Sequence, residues 1–245
     1  MSAEGTMPKK GEIDYLHTLG ANGLIHALNK PFSDSDCGRY LTDLGTIMML
    51  LPAPPARLLD LGAGSGWTSC FFALRGYDVV AQDIADDMVE LMERNKEKYG
   101  IDNMKSVIDD YEFLQFKDEF DCAVFYDCLH HAEDEYKALL SAYNSLKSGG
   151  ILITAEPGTG HAASPDAVRA MADFGVTEKD MPPRKIIEIA RTIGFRASTV
   201  YQRNFAPAPL YPLFSLNTIT ALIRILSGRL RVRHDCCSHF VVLTK

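Results

Sequence analysis

The feature that most constrains this chain is a glycine-rich stretch between an apolar run and a helix. Residues 56–62 read ARLLDLG, which predicts a short strand, and residues 60–66 read DLGAGSG. The segment after Gly66 predicts a helix that continues to Arg75. Glycines allow a sharp turn close to a ligand, and the amides at a helix N-terminus attract an anionic group. This order of elements predicts an α/β fold with a ligand site at the loop.

Downstream of the loop the chain alternates between predicted strands and helices. The predicted strands are YDVVAQD, MKSVI, FDCAVFYD, GILITAE, FRASTVYQ and SHFVVLTK. Helices are predicted at about 86–99, with Asp86 as a cap and Gly100 as a stop, and at about 133–146. A further helix ends at Gly194. Alternating strands and helices imply a parallel sheet that is covered by helices on both faces.

Two further segments are attached to this predicted core. Residues 1–55 are predicted to form an N-terminal helical lid, because apolar side chains recur at helical spacing over residues 38–51 before Pro52 ends the helix. Residues 56–245 are predicted to form the main domain. This domain contains an insertion at about 205–235 that is too long for a simple hairpin loop, and we predict a helix within it.

The spacing of the loop glycines separates two ligand classes. A dinucleotide-binding fingerprint, G-x-G-x-x-G, needs its third glycine at the position of Trp67. The pattern D-x-G-x-G-x-G instead resembles motif I of class I S-adenosylmethionine-dependent methyltransferases, and FDCAVFYDCLHHAED and LKSGGILITAEP are similar to later motifs of that family. The resemblance implies S-adenosyl-L-methionine as the cofactor. It also implies a Rossmann-like seven-stranded sheet, mostly parallel with an antiparallel last strand and helices on both faces.

The same resemblance implies a set of cofactor-binding residues. Asp83 closes the second predicted strand, where the family has an acid that accepts hydrogen bonds from both ribose hydroxyls, a task that suits a carboxylate. Asp110 and Tyr111 match the adenine site, Asp127 matches a position beside the methionine moiety, and Tyr40 is a candidate contact there. Loop capping by the acids and simple packing by Tyr111 are the alternatives. The implied residues are Tyr40, Asp60, Gly62, Ala63, Gly64, Gly66, Asp83, Ile84, Asp110, Tyr111 and Asp127.

Charge and composition narrow the partners. The net charge of −7 argues against a general nucleic-acid binder, so no nucleic-acid partner is predicted. Residues 189–234 hold seven arginines and no acid, which indicates a local anionic contact such as a phosphate or a membrane surface. The sequence shows neither the apolar region of a secretory signal nor an apolar run long enough for a membrane helix. With no C-x-x-C pair among its cysteines, the chain is predicted to be cytoplasmic.

Histidines in the loops after the fourth and fifth predicted strands are the candidates for catalysis. An acceptor hydroxyl must lose its proton, usually to His, Asp or Glu. His161 is the first candidate for this base and His131 the second, whereas His130 is explained as well by local structure. Both loops leave the carboxyl ends of strands, where open α/β sheets bind ligands. The possible metal ligands in these loops lack any firm metal-binding spacing, so no metal site is predicted.

The leading hypothesis is O-methylation of a small molecule or of a sugar or glycolipid, with the arginine-rich insertion holding a phosphate-bearing acceptor. KPFSD, EPGTGH and FGVTEKDMPP are similar to pieces of bacterial methyltransferases found alongside surface-polysaccharide glycosyltransferases. One alternative is methyl transfer to a lipid or quinone-like acceptor, with residues 205–235 in peripheral contact with a membrane. Another is a cofactor-binding protein without turnover. Lys30, Phe32 and Arg39 are candidates for acceptor contacts or for surface and packing roles, and the oligomeric state is left open.

Overall fold

The computed structural model describes residues 7–203 and 238–245, together with Ile219 and Ile223. These residues form one sheet of seven strands with helices around it. The strands are β1 (Arg57–Leu61), β2 (Asp78–Asp83), β3 (Met104–Ile108), β4 (Phe120–Tyr126), β5 (Leu146–Glu156), β6 (Ala197–Gln202) and β7 (His239–Thr244). The helices are α1 (Met7–Leu28), α2 (Cys37–Leu50), α3 (Trp67–Arg75), α4 (Asp86–Tyr99), α5 (Glu135–Ser145), α6 (Pro165–Phe174) and α7 (Pro183–Ile193), with a 3₁₀ turn at Leu129–His131.

The order of the strands creates a ligand crevice at the centre of the sheet. The sheet runs β3-β2-β1-β4-β5-β7-β6 and is parallel from β3 to β5, whereas β7 is antiparallel to both β5 and β6. The predicted Rossmann-like sheet with an antiparallel last strand is therefore confirmed. Because the strand order reverses between β1 and β4, a ligand is expected outside the carboxyl ends of these two strands.

Neighbouring residues of the central strands point to opposite faces of the sheet, and apolar clusters cover both faces. Leu59 of β1 and Ala123 of β4 lie in one buried cluster, whereas Leu58 and Cys122 lie in the other. A strand that is buried on both faces can be apolar at every position, which explains why these strands show no alternation with polar residues. This two-sided core holds the strand ends in fixed positions.

The glycines at the helix ends lie where the sequence predicts them, whereas the aspartate predicted to cap a helix does not lie at the cap position. Gly76 and Gly100 end α3 and α4 in the left-handed conformation, which glycine adopts without strain. The prediction that Asp86 caps α4 is wrong, because Ala85 occupies the cap position and Asp86 is already the first helical residue. The sequence analysis does not predict α6 at all, although the hydroxyl of Ser164 caps its first turn.

The first two helices pack on the rest of the structure from outside the sheet. α1 packs against α4 and α6, and its helical geometry breaks at Gly20, where φ is 65°. Gly11 approaches α6 so closely that a Cβ there would lie 2.2 Å from the carbonyl oxygen of Gly175. α2 confirms the helix predicted over residues 38–51 to within one residue. The division of the chain at residue 55 stays a prediction.

The predicted insertion at about 205–235 lies outside the described residues, apart from two positions. Ile219 and Ile223 are helical and exposed. The arginine-rich surface predicted there stays a prediction. Across the helices that can be described, none combines the length and the apolar character that crossing a membrane requires.

Candidate active site

Two adjoining cavities open at the carboxyl ends of β1, β2 and β4, where the strand order reverses. Cavity A has a volume of about 190 Å³ and cavity B of about 250 Å³. Cavity A extends towards α1 and the turn after β4, and cavity B extends towards the segment between α1 and α2. The residues that line both cavities are Tyr15, Gly62, Gly64, Met88 and Asp127. Because they share these walls, we treat the two cavities as one candidate site.

The glycine loop between β1 and α3 lines both cavities. Gly62, Gly64 and Gly66 have φ values of 62°, 55° and 72°, a region that other residues rarely adopt. A Cβ on Gly62 would also lie 2.9 Å from the Cβ of Cys128, so the loop can pass here only as glycine. Gly66 instead occupies the cap position of α3 and is not brought to the wall of either cavity.

Asp60 and Ala63 border cavity B, but the Asp60 carboxylate has its partners inside the protein. Its Oδ2 accepts hydrogen bonds from the hydroxyls of Thr68 at 2.7 Å and Ser69 at 2.6 Å. Burial raises the pKa of Asp60 to about 6, against the effect of these two hydrogen bonds. Asp60 therefore stabilises the first turn of α3. This contact corresponds to loop capping, the alternative to cofactor binding for this residue.

Asp83 ends β2 and lines cavity A together with Ile84. Its Oδ2 accepts a hydrogen bond from the amide of Gly64 at 2.8 Å, and its Oδ1 accepts one from the amide of Ala85 at 3.0 Å. Burial raises the pKa of Asp83, because these amides only partly replace the water that the charged form has lost. Each carboxylate oxygen can accept more than one hydrogen bond, so Asp83 retains acceptor capacity towards a ligand in cavity A.

The two residues predicted for the adenine site also line cavity A, with one unexpected partner. Tyr111 packs edge-on against Phe125 with ring centroids 5.4 Å apart, and its hydroxyl donates to the carbonyl oxygen of Cys128 at 3.2 Å. Asp110 forms an ion pair with Lys9 of α1, and its other oxygen accepts a backbone amide. This pair fastens α1 to the loop after β3. A contact of Asp110 with adenine stays a prediction.

Asp127 has a left-handed backbone conformation and belongs to a buried ion-pair network. Its φ is 48°, and its carboxylate accepts two hydrogen bonds from the Arg203 guanidinium at 2.9 and 3.1 Å. Arg203 also pairs with Asp43 of α2, which accepts the hydroxyl of Tyr126 at 2.9 Å. Burial favours a higher pKa for Asp127, but Arg203 outweighs burial and lowers the pKa. Asp127 thus lines both cavities with its charge already balanced.

An aromatic cluster forms part of the wall of cavity B. Tyr40 lies edge-on to Trp67 and Tyr126, with ring centroids 6.0 and 6.5 Å apart. The guanidinium of Arg39 lies 4.9 Å from the Tyr40 ring centroid, and the ammonium group of Lys30 lies 5.5 Å from it. The structure therefore places Tyr40 on the cavity wall together with Lys30 and Trp67. Its contact with the methionine end of a cofactor stays a prediction.

His130 is held in place by a buried glutamate. Its Nδ1 lies 2.7 Å from Oε2 of Glu156, whose carboxylate also accepts the backbone amides of Cys128, Leu129 and His130. Burial favours a lower pKa for His130, but the hydrogen bond and charge of Glu156, together with the charges of Glu178 and Asp127, outweigh burial and raise the pKa. The contacts of His130 with Glu156 therefore fix the turn after β4, a structural role that the sequence also allows for this residue.

His131 and Glu12 line cavity A from different elements and share Thr177 as a partner. Nδ1 of His131 lies 2.6 Å from the carbonyl oxygen of Thr177, so Nδ1 carries the proton and Nε2 keeps its lone pair. The amide of Thr177 donates to Oε1 of Glu12 at 2.9 Å. Burial lowers the pKa of His131 to about 3 and raises that of Glu12 to about 7. Near neutral pH, His131 is therefore uncharged, and Glu12 exchanges its proton readily.

His161 is not brought to the wall of either cavity. Its Nε2 lies 2.7 Å from Oε2 of Glu178, and its ring stands edge-on to His130 with centroids 5.0 Å apart. Its role as a base stays a prediction that this placement does not support. Nearby, ligand-type atoms of His130, His131 and Glu178 lie within 4.8 Å of one another. These three side chains already have hydrogen-bond or ion-pair partners within the protein. The prediction that the chain has no metal site stays a prediction.

Four residues of the site escape the sequence analysis. Lys9 and Glu12 belong to α1, and no motif or spacing marks them. Arg203 is one of seven arginines in the acid-free stretch of residues 189–234. It differs from the others in its position directly after β6. Gln82 carries a usable signal, because it is a polar residue inside the apolar run VVAQD. It is fully buried, and its side-chain oxygen accepts the amide of Gly62 at 3.2 Å.

Similarity to known proteins agrees with this geometry. Residues 59–154 match the family model of a methyltransferase domain. Over 105 residues the chain is 36% identical to the ubiquinone/menaquinone biosynthesis C-methyltransferase UbiE of Pectobacterium carotovorum subsp. carotovorum. That match covers 41% of this chain and 42% of the relative, so the chain aligns with less than half of the relative's length.

Solved structures with the same fold include proteins of different activity. The phosphoethanolamine N-methyltransferase 2 of Haemonchus contortus, in complex with S-adenosyl-L-methionine, has a TM-score of 0.65 at 19% identity, over 98% of this chain and 59% of that one. The [4+2]-cyclase SpnF has a TM-score of 0.62 at 18% identity, over 98% and 96% of the two chains. Residues 59–154 thus resemble a methyltransferase domain, and the predicted Rossmann-like fold is confirmed. This similarity agrees with the predicted use of S-adenosyl-L-methionine. The fold by itself does not fix the acceptor or the reaction.

Proposed function

We propose that this chain transfers a methyl group from S-adenosyl-L-methionine to the hydroxyl of a small molecule, with Glu12 as the proton acceptor. The observation that carries the proposal is that Glu12 and His131, whose side chains lie 3.5 Å apart, both line cavity A together with the strand-end residues that suit the cofactor. An acceptor hydroxyl must lose a proton as its oxygen bonds to carbon, and a carboxylate or imidazole within reach serves this need.

The residues on the cofactor side of the cavities suit S-adenosyl-L-methionine. Asp83 would accept hydrogen bonds from the ribose, Ile84 and Tyr111 would flank the adenine, and the glycine loop would leave room for the methionine end. Gly64 borders open space, because a Cβ built on it would meet no atom within 4 Å. When bound, the cofactor supplies a methyl group attached to a positively charged sulfur.

Glu12 is better suited than either histidine to take the proton of the acceptor. A general base works best when its pKa lies near the working pH, and the pKa of Glu12 is about 7. The pKa of His131 is about 3, so its ring holds a proton poorly. Its Nε2 can still accept a hydrogen bond and orient the hydroxyl towards Glu12. In this arrangement the acceptor oxygen would bond to the methyl carbon as the carbon–sulfur bond breaks, with the bonding electrons left on the sulfur of S-adenosylhomocysteine. The proton of the acceptor would end on the Glu12 carboxyl group.

The acceptor class that we favour is a sugar or glycolipid that carries a phosphate. We place this activity in the cytoplasm. Support comes from residues 189–234, where arginine is the only charged residue type. Arginine binds two phosphate oxygens at once through its planar donors. Arg203 is already paired with two carboxylates, so the phosphate contacts would come from other arginines of this stretch.

A quinone-like acceptor is the second candidate, favoured by the 36% identity to a C-methyltransferase of quinone biosynthesis. A hydroquinone also carries a hydroxyl, and loss of its proton makes the neighbouring ring carbon a nucleophile. Glu12 would serve the same step, but the methyl group would end on carbon. Peripheral contact of residues 205–235 with a membrane would then bring in the lipid-soluble acceptor.

The test uses cofactor with a deuterated methyl group. The protein is incubated with this cofactor and either an extract of its source cells or a demethylated hydroquinone, and mass spectrometry identifies labelled products. We expect a labelled product from which hydriodic acid releases the methyl group as iodomethane, because a methyl ether is cleaved in this way and a ring methyl group is not. A label that resists cleavage supports the quinone-like candidate, and the absence of any labelled product contradicts both.

A further inference from the structure

Lys30 brings a positive charge to cavity B without a direct ion pair. It lies in the segment between α1 and α2 and lines the cavity, with its ammonium group over the ring of Tyr40. Within residues 7–203 and 238–245, this group forms no ion pair and no hydrogen bond. Burial lowers the pKa of Lys30, and the nearby charges of Asp34 and Asp127 only partly offset this effect.

The other charged side chains of cavity B already have partners. The Asp127 carboxylate is bound by Arg203, and that of Asp60 accepts two hydroxyls. His26 lies 3.7 Å from Asp34, where it forms an ion pair when protonated. The N-terminus of α3 borders the same cavity and adds the partial positive charge of its amides. Cavity B is therefore prepared for an anionic group that reaches Lys30.

We propose that Lys30 binds the carboxylate of the methionine moiety of the cofactor in cavity B. The inference rests on the proposed use of S-adenosyl-L-methionine. Cavity A holds the residues suited to the adenosine, and the two cavities meet at Gly62 and Gly64. A cofactor that crosses these glycines places its amino-acid end in cavity B, where Lys30 is, among the described lining residues, the cation without an ion pair. A carboxylate–ammonium hydrogen bond shielded from water is among the stronger polar contacts in proteins.

An anionic group of the acceptor is the rival occupant, since a phosphate or carboxylate would also match Lys30. The two sources differ in whether the contact exists in the absence of acceptor. Binding of the cofactor product alone, without acceptor and without turnover, therefore separates them.

The experiment compares two ligands by titration calorimetry. S-adenosylhomocysteine has both the carboxylate and the ammonium group of the amino-acid end, whereas its decarboxylated analogue keeps only the ammonium group. Lys30→Met should raise the Kd of S-adenosylhomocysteine about tenfold to a hundredfold, and change that of the analogue by less than about twofold. Lys30→Arg should retain most of the affinity. The matched control is Lys10→Met, which removes an exposed lysine of α1 and should change neither Kd.

Two results would overturn the assignment. An equal loss for both ligands would show that Lys30→Met alters the shape of cavity B, and an unchanged Kd for S-adenosylhomocysteine would show that Lys30 does not meet the carboxylate. Thermal denaturation confirms that the variants are folded, and Lys30→Gln replaces Lys30→Met where the latter fails to fold. Failure of the proposed cofactor looks different, because the unmodified protein would then bind neither ligand.

Discussion

The two walls of the candidate site are built in different ways. The cofactor wall consists of the glycine loop and the carboxyl end of β2, where the Gly64 amide contacts Asp83 only 19 residues away. The lid wall consists of α1 and the turn after β4, which bring Glu12 and His131 to cavity A. Both residues contact Thr177, which lies 165 residues along the chain from Glu12 and 46 from His131. The first wall depends on local backbone geometry, and the second depends on the tertiary fold.

The walls also differ in the chemistry that they offer. Backbone amides and a strand-end carboxylate dominate the cofactor wall, and such groups hold one ligand in a fixed position. The lid wall carries Glu12 and His131, whose pKa values burial shifts in opposite directions. Groups of this kind can accept or orient a proton. We therefore expect substitutions on the cofactor wall to change affinity, and substitutions on the lid wall to change rate.

The largest effect is expected for the removal of the proposed base. Glu12→Gln keeps the acceptor for the Thr177 amide but cannot take a proton, so turnover should fall about 10²–10⁴-fold. The Kd of S-adenosylhomocysteine should stay nearly constant, because the cofactor wall is intact. Turnover is measured as transfer of the labelled methyl group to the acceptor found in the extract. His161→Ala is the control, and a larger loss in that variant would place the base on the loop after β5 instead.

The network that joins α2 to the sheet should be the most sensitive point for stability. Arg203→Met leaves the buried Asp43 carboxylate and the half-buried Asp127 carboxylate without their cation. The loss of one partner of a buried ion pair, as for Asp43, costs roughly 3–5 kcal/mol. Chemical denaturation measures the free energy of unfolding. Arg184→Met removes an exposed arginine paired with Glu188 and should cost less than about 1 kcal/mol. Equal effects of the two substitutions would contradict the importance of the buried network.

The contrast between the walls explains how much of the site could be predicted. Gly62, Gly64 and Asp83 could be identified because positive φ values and strand ends leave local marks in the sequence. The tertiary partners of Asp110 and Asp127 could not, since Lys9 and Arg203 lie 101 and 76 residues away from them. Nothing in the sequence around Glu12 indicates that burial will move its pKa, because the burying residues come from other elements.

The same reasoning applies to the fold. The strands of the central sheet are largely apolar runs, so their places in the chain could be predicted well. α6 is not among the predicted helices, although Ser164, Pro165 and Gly175 are typical helix start and stop residues. Only Ala167 of α6 is buried, so this helix contributes little to the apolar pattern of the core. The helical lid is predicted without separate bounds for α1, whose apolar residues show little helical periodicity.

On the cofactor wall, an intermediate effect on affinity is expected. Asp83→Ala removes the acceptor for the ribose and should weaken S-adenosylhomocysteine binding by about 1.5–3 kcal/mol, as for hydrogen bonds to a charged group. Calorimetry measures the change. Asp78→Ala is the matched control, because it removes an exposed carboxylate from the opposite end of β2. If both variants bind like the unmodified protein, Asp83 is a loop cap and not a cofactor ligand.

The smallest effect concerns the dependence of stability on pH. The pKa of Glu12 is about 7 in the folded protein against 4.5 for an exposed glutamate, so the folded state binds the proton more tightly. The contribution of Glu12 to the free energy of unfolding should therefore decrease as pH rises from 4.5 to about 7, whereas His131, with its pKa lowered to about 3, contributes in the opposite direction over most of this range. Glutamine does not titrate, so the free energy of unfolding of Glu12→Gln should exceed that of the unmodified protein by about 1–3 kcal/mol above pH 7. Below pH 4.5 the two free energies should differ little. A difference that is constant with pH would contradict the shifted pKa.

A carboxylate of the lid wall that takes the proton of an acceptor held against the cofactor wall should make the rate depend on pH. This dependence is measured as kcat/KM for labelled methyl transfer, in the unmodified protein and in Glu12→Gln. For the unmodified protein, kcat/KM should rise about tenfold per pH unit below the Glu12 pKa of about 7 and level off above it. In Glu12→Gln this rise should be absent and kcat/KM uniformly low. An identical pH profile in both proteins would show that Glu12 does not take the proton.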